Sequence, residues 1–246
     1  MRYVRAVEQE IYERIHAIED RHWWFRGRRA VIWSLLRYAR YPSPARVLDA
    51  GCGTGRNVAE FASLGEVTGI EPEASAVEFC RERGLTNVRE ASVEQLPFPD
   101  GSFDLVFAFD VLEHIEDDVI GMRELGRVTT PGGFFVATVP AYRWLWSQHD
   151  DTHHHRRRYT RPQLLANARA AGWQPVFATY FNSILLPPIA AVRAFRRDGA
   201  AGTDYELTSS ALDRALGAPM QLEAKAIARG IRLPAGVSVG MVCTTA

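Results

Sequence analysis

The sequence predicts an α/β protein built on a doubly wound, mostly parallel sheet with helices on both faces, and three observations carry that prediction. From Arg46 onward, short apolar runs alternate with amphipathic segments. One run, Leu105-Val-Phe-Ala-Phe109, is apolar at every position, as expected of a strand buried on both faces. The first run leads straight into a glycine-rich turn.

The 246 residues correspond to one or two domains and can bury a core without disulfides or a structural metal. With 47% hydrophobic and 24% charged residues, the chain is neither a disordered tail nor a coiled coil nor collagen-like. The 29 Lys and Arg balance the 29 Asp and Glu, so no global charge marks a binder of nucleic acid or of a membrane surface. Cys52, Cys80 and Cys243 have no metal-ligand spacing and leave one unpaired, the pattern of reduced thiols in a cytoplasmic protein. The opening segment is of mixed charge and lacks the apolar core of a signal peptide. No stretch reaches the ~20 apolar residues needed to span a bilayer.

In chain order, Val4, Val7, Ile11, Ile15 and Ile18 recur at helical spacing and predict an amphipathic first helix. A second helix is expected over Arg28–Tyr38, before the Tyr41-Pro-Ser-Pro linker. Between them lies a segment dense in aromatics and cations, Arg21 to Arg29. Strands are predicted at Val47–Ala50, Val67–Glu71, Val88–Ala91, Phe103–Phe109 and Phe134–Val139, with helices at Asn57–Leu64, Ala74–Arg83 and Asp117–Val128. Thr160-Arg-Pro-Gln163 has the form of a capping box opening a helix that stops at Gly172. Pro175–Phe181 and Gly236–Cys243 supply two further strands. The long stretch between them exceeds an ordinary connection and reads as a helical insertion. In it, Leu207–Arg229 is expected to be helical, with a break at Gly217 and Pro219.

The glycine-rich turn, Val47-Leu-Asp-Ala-Gly-Cys-Gly-Thr-Gly55, is the most informative segment. It places a ligand outside the carboxyl ends of the strands, where open α/β sheets bind. Its glycines run G-x-G-x-G rather than the G-x-G-x-x-G of a dinucleotide site, and Asp49 ahead of them would repel a pyrophosphate but attract an ammonium group. No G-x-x-x-x-G-K-[ST] is present, which excludes a phosphate-gripping loop. A turn without a ligand is the remaining reading.

Val47–Gly55 resembles the first motif of the class I S-adenosylmethionine-dependent methyltransferases. The likeness continues through Gly69-Ile-Glu-Pro72, Leu96–Val106, Val111-Leu-Glu-His114 and Arg127–Gly133, in order. It implies a Rossmann-like sheet of seven strands with the last one antiparallel, and S-adenosylmethionine as donor, leaving S-adenosylhomocysteine. By that likeness, Asp49, Gly51, Gly53 and Gly55 face the donor's amino acid and ribose, and Glu71 accepts from the ribose hydroxyls. Ser92 and Val93 fall around the adenine, with Ser92 where the family usually has Asp. Phe109 lines the methyl-transfer mouth.

Methyl transfer is an in-line displacement, so holding the nucleophile in place accounts for much of the catalysis. A base is needed only where a proton must leave. His114, after the fourth strand, suits a general base or an ordering role in the loop. The segment Trp144–Tyr159 resembles a methyltransferase subgroup with a His-Asp pair, a later His and Arg-Arg-Tyr, matched here by His149, Asp150, His155, Arg157, Arg158 and Tyr159. The same subgroup carries Trp-Phe-Arg near its N-terminus, like Trp24-Phe-Arg26. Three uses of the histidine-rich segment compete: acid–base or anion recognition by His155 with Asp150 and the arginines, a structural tie to the sheet edge, and metal binding. Adjacent histidines seldom converge, so no metal is expected. Trp23 and Trp24 read as a lid over a sulfonium or as packing. Ile184–Val192 with the arginines around it reads as core, dimer contact, acceptor cap or a peripheral membrane contact across 182–197.

The expected organisation is a helical lid over 1–45 and a methyltransferase domain over 46–246. Within the latter, 46–140 binds the donor, 141–181 faces the acceptor, 182–233 is the insertion and 234–246 the final strand. The expected reaction is methylation of an oxygen or nitrogen of a small-molecule metabolite. A lipid-linked glycan or RNA acceptor, or a non-catalytic donor-binding role, are the alternatives. Zero net charge and the lack of an appended RNA-binding domain argue against nucleic acid. Acceptor identity and oligomeric state lie in lids and insertions, where a single sequence gives little leverage.

Overall fold

The computed structural model describes residues 2–195 and 210–245. Seven strands form one sheet: β1 (Ala45–Ala50), β2 (Gly65–Glu71), β3 (Val88–Glu90), β4 (Phe103–Phe109), β5 (Thr129–Pro140), β6 (Gln174–Phe181) and β7 (Ser238–Thr244). Their order is β3-β2-β1-β4-β5-β7-β6, with β1 to β5 pairing in parallel and β7 antiparallel to both neighbours. This is the sheet that the resemblance implies, and its helices lie on both faces.

Successive side chains of a strand point to opposite faces, so a strand covered on both sides must be apolar throughout. In β4, Val106 and Ala108 join a core with Met122, Leu125, Leu164 and Trp173. Those four come from α5 (Asp118–Val128), α7 (Arg161–Ala170) and the turn after α7. Leu105, Phe107 and Phe109 face the other way and pack with Phe61, Leu35 and Met220. Burying each such side chain stabilises the fold by ~1.5–3 kcal/mol.

The first helix, α1 (Arg2–Ile18), and the second, α2 (Trp23–Leu36), precede the sheet. The second begins earlier than its expected Arg28 and ends at Leu36, so the aromatic segment is its first turn rather than a connector. His22 caps it by accepting from the Trp24 N–H at 3.4 Å. The turn holds because α2 packs along α9 (Ser210–Ala228): a Cβ on Gly27 would lie 2.5 Å from the Met220 sulfur, so glycine sets the close approach. The same packing carries α9 straight through Pro219, without the expected break. Met220, Glu223, Ala224 and Ile227 are buried along it, and this tertiary burial outweighs the lost backbone hydrogen bond.

Other elements fall close to expectation. The helix expected at Asn57–Leu64 is a short α3 (Arg56–Glu60) followed by a 3-10 turn over Phe61–Leu64. α4 (Ala74–Glu82) follows β2. The Thr160–Gln163 capping box opens α7. α6 (Gln148–Thr152) and α8 (Leu186–Phe195) complete the described helices. Arg196 and Arg197 of the 182–197 segment and the first residues of the Leu207–Arg229 helix lie outside the described residues. Among the described residues, no helix is long and apolar enough to cross a membrane. Cys52, Cys80 and Cys243 are free and buried.

Candidate active site

A cavity of about 700 Å³ lies where β1, β2, β4 and β5 end, beneath α1, the first turn of α2 and α8. It has two chemically different ends.

At the first end, the chain leaves β1 through Gly51 (φ 74°) and Gly53 (φ 55°), a region that side chains other than glycine rarely adopt. A Cβ on Gly51 would lie 2.5 Å from Val111, whereas nothing lies within 4 Å of the Cβ position of Gly53. The loop is therefore packed on one side and open to a ligand on the other. Glu71, at the tip of β2, accepts from the Gly53 N–H at 2.9 Å, the Tyr12 hydroxyl at 3.3 Å and the Glu73 N–H at 3.2 Å. Burial, only partly offset by those donors, raises its pKa to about 7. Asp49, expected to face the donor, does not line the cavity: it is buried beside the loop, and neither of its oxygens meets a hydrogen-bond donor among the described residues. Burial raises its pKa to about 7, with nearby Arg28 opposing.

An orphaned carboxylate, a carboxylate already arranged as an acceptor and an open glycine cradle fit the amino group, ribose diol and backbone approach of S-adenosylmethionine. Over this end, α1 is pinned by Glu19, whose carboxylate accepts from the Thr54 hydroxyl and from Arg83, and whose carbonyl accepts from Arg29 at 2.9 Å.

The second end is built from the loops after β4 and β5. Asp150 is fully buried and accepts from Arg158 at 2.7 and 2.9 Å, from the Ser147 N–H at 2.8 Å and from Nδ1 of His155 at 2.8 Å. Burial works against its charge, but the bonds from His155 and Arg158 outweigh it and hold the carboxyl well below the usual carboxylate range. With Nδ1 committed, His155 has Nε2 left, 4.0 Å from a Glu113 oxygen. The rings of His114 and His155 meet edge-on at 4.8 Å. The His114 ring stands open to the cavity, and desolvation followed by the charge of neighbouring His155 and His153 lowers its pKa. His149 is pushed the same way by burial, then by His153 and His155.

The arginine–tyrosine run explains why His155 arrives there. The Arg156 N–H donates to the Glu113 carbonyl at 2.8 Å, and its guanidinium to the His114 carbonyl at 3.0 Å. Arg157 bonds Asp118 and the Ile115 carbonyl, and the Tyr159 hydroxyl bonds Asp118 at 2.7 Å and the Leu112 carbonyl at 3.1 Å. Arg157 and Tyr159 thus staple the two loops together and do not line the cavity.

Of the other expected residues, Trp23, Trp24, Phe109, His114, His149 and His155 line the cavity together with Gly51, Gly53 and Glu71. Gly55 (φ 82°) is buried behind the loop, where its absent Cβ leaves room for Leu85 and Cys80. Arg26 does not line the cavity and lies instead in a separate groove between α2 and α9, with Asp213 and Arg214. Ser92 is exposed and its hydroxyl accepts from the Glu94 N–H at 3.2 Å, while Val93 is core. Residues not anticipated also line the cavity: Tyr12, Glu19, Arg28 and Thr54. Arg28 is ion-paired with Asp110, which also accepts from the Thr138 hydroxyl at 3.1 Å. The helical spacing of Ile11, Ile15 and Ile18 marked a buried face but not what it would cover.

Residues 48–137 match a family described as a methyltransferase domain. The chain is similar to an uncharacterized methyltransferase of Schizosaccharomyces pombe, 36% identical over 41% of this chain and 41% of that protein. It is also similar to the ubiquinone biosynthesis O-methyltransferase of Methylocella silvestris, 39% identical over 42% of this chain and 43% of that one. The chain therefore spans less than half the length of these curated relatives. The crystal structure of a SAM-dependent methyltransferase from Thermotoga maritima shares the fold with a TM-score of 0.61 at 16% identity, covering 100% of both chains. Matched segment, strand order and loop geometry agree: residues 48–137 match a methyltransferase domain and sit in the sheet that the resemblance to the class I S-adenosylmethionine-dependent family implies.

Proposed function

We propose that the protein transfers the methyl group of S-adenosylmethionine to an oxygen or nitrogen of a small-molecule acceptor. The observation that carries this reading is that one cavity joins the glycine–carboxylate end to the histidine end. When bound, the donor supplies an electrophilic methyl group on a sulfonium.

Asp49, Glu71 and the Gly51–Gly53 backbone hold the donor. Phe109, Trp23 and Trp24 line the cavity, and aromatic faces suit a sulfonium and exclude water. Residues 1–45 act as the lid, because α1 and the first turn of α2 cover the cavity. His114, below its usual pKa and therefore neutral at pH 7, and His155, oriented by Asp150, receive the acceptor's reacting group. Ile189, Val192 and Leu216 from the insertion give that part of the cavity apolar walls, which suit an acceptor with an apolar body. The O-methyltransferase among the relatives supports oxygen as the methylated atom. A lipid-linked acceptor is a second reading, favoured by the exposed Ile184 and Val192, of which Val192 also lines the cavity.

The test is incubation with donor labelled on the methyl group together with aqueous, lipid and RNA fractions. Label in a small aqueous product supports the proposal, and label in lipid selects the second reading. Label in RNA, or donor binding without label in any fraction, overturns both.

A further inference from the structure

We propose that Glu113, His114 and His155 form a site for one divalent transition-metal ion, on which the acceptor's reacting atom docks. The inference rests on reading this cavity as a methyl-transfer site and specifies how its histidine end acts.

Four observations carry it. One carboxylate oxygen and one ring nitrogen from each histidine lie within 4.8 Å of one another, all from residues that line the cavity. Glu113 is fully buried, and neither of its oxygens meets a hydrogen-bond donor among the described residues. A buried orphan carboxylate costs several kcal/mol unless something satisfies it, and here Nε2 of His155 stands 4.0 Å from one of its oxygens.

Third, His155 has the orientation of a metal-bound histidine. Its Nδ1 is held at 2.8 Å by a buried carboxylate that Arg158 fixes in turn, which leaves Nε2 for an ion. Fourth, this orientation is imposed by the loop rather than chosen by the ring: the backbone of Arg156 and the side chains of Arg157 and Tyr159 tie the His155 segment to the Leu112–Glu116 loop.

Two imidazoles and one carboxylate form the donor set of zinc and neighbouring first-row ions rather than of magnesium or calcium. At metal–ligand lengths of about 2.0–2.2 Å, two ligands of a tetrahedral ion lie roughly 3.4 Å apart. The widest pair must therefore close by about 1.4 Å, which rotation of the cavity-exposed His114 ring supplies. Three protein ligands leave a coordination position open, as in catalytic rather than structural sites. There the ion would polarise an acceptor oxygen as a Lewis acid.

The experiment uses the full chain, stripped with a chelator, dialysed and titrated with Co²⁺ alone. Visible d–d absorption reads coordination, Zn²⁺ competition reads affinity, and elemental analysis reads stoichiometry. The expected result is one Co²⁺ per chain, displaced by Zn²⁺, with affinity falling at least about 10-fold in both Glu113→Gln and His114→Ala. Both variants should bind S-adenosylhomocysteine as the parent does, which certifies their fold. Absence of the band, or an unchanged affinity in these folded variants, overturns the proposal while leaving methyl transfer intact. If cobalt binds as expected but the parent chain binds no S-adenosylhomocysteine, the methyl-transfer reading fails instead.

Discussion

The two ends of the cavity are built by different means. The glycine–carboxylate end, the proposed donor end, is one contiguous loop plus the tips of two central strands: Asp49 is the penultimate residue of β1, Gly51 and Gly53 make the turn, and Glu71 ends β2 beside it. Its geometry comes from backbone conformation and strand pairing. The histidine end, the proposed acceptor end, is assembled from side chains on two loops far apart in sequence, tied by a polar staple of Asp118, Asp150, Arg157, Arg158 and Tyr159. Its geometry depends on hydrogen bonds and ion pairs, and those break individually. A backbone-built site tolerates change in its surroundings, whereas a staple-built site does not.

The largest expected effect tests the staple. Arg158→Met leaves the Asp150 carboxylate buried with its main partner gone and should destabilise the protein by ~3–5 kcal/mol in equilibrium denaturation. A loss below ~1 kcal/mol would mean that His155 and Ser147 satisfy Asp150 alone, and the contrast between the two ends would weaken. At the proposed donor end, Glu71→Ala removes the carboxylate expected to accept from the two ribose hydroxyls of the donor. Donor affinity measured by calorimetry should drop about 100-fold. Normal donor binding in this variant, or in Asp49→Ala, would overturn the assignment of that end.

His155→Ala separates the two ends directly. It should lower turnover by about 100-fold or more while donor affinity stays within a factor of two. Equal losses of both would show that the ends are coupled rather than independent.

A smaller effect follows from pH. The pKa values of Asp49 and Glu71 are both raised to about 7, so each carboxyl takes up a proton as pH falls through 7. The ribose and amino group need the carboxylate form. Donor affinity should therefore fall between pH 8 and pH 6 by at least about tenfold, the fall that protonating one of the two carboxyls gives. The sign for stability is the opposite: these groups bind protons more tightly in the folded state, so their contribution is greatest below about pH 4 and is lost as pH rises through 7. Affinity and the ligand-free Tm contribution thus move in opposite directions across one pH window. Affinity independent of pH would mean that the donor end is not where these carboxyls act.

The smallest effect concerns the cap. Ile189→Ser should raise the acceptor KM several-fold at unchanged donor affinity.

The residue pattern alone determined the strands and their burial, because period-2 and fully apolar runs have few other ways to hide from water. It determined the donor loop as well, since a G-x-G-x-G turn after a strand constrains the backbone by local sterics. The capping box at Thr160–Gln163 is equally local, and α7 begins there.

What depended on distant packing was not legible. The start of α2 at Trp23 and the passage of α9 through Pro219 both come from the contact between those two helices, at a sequence distance that no local pattern spans. The histidine end shows the same division. Neighbouring histidines gave no reason to expect a converging ligand set, and His153 and His154 are not part of it. The structure instead brings His155 against Glu113 and His114 from the other loop. Arg157 and Tyr159, marked by the sequence as acceptor-side residues, act as the staple that makes this meeting. Local sterics are encoded residue by residue and can be read there, whereas the convergence of side chains across loops exists only once the sheet has set the distance between them.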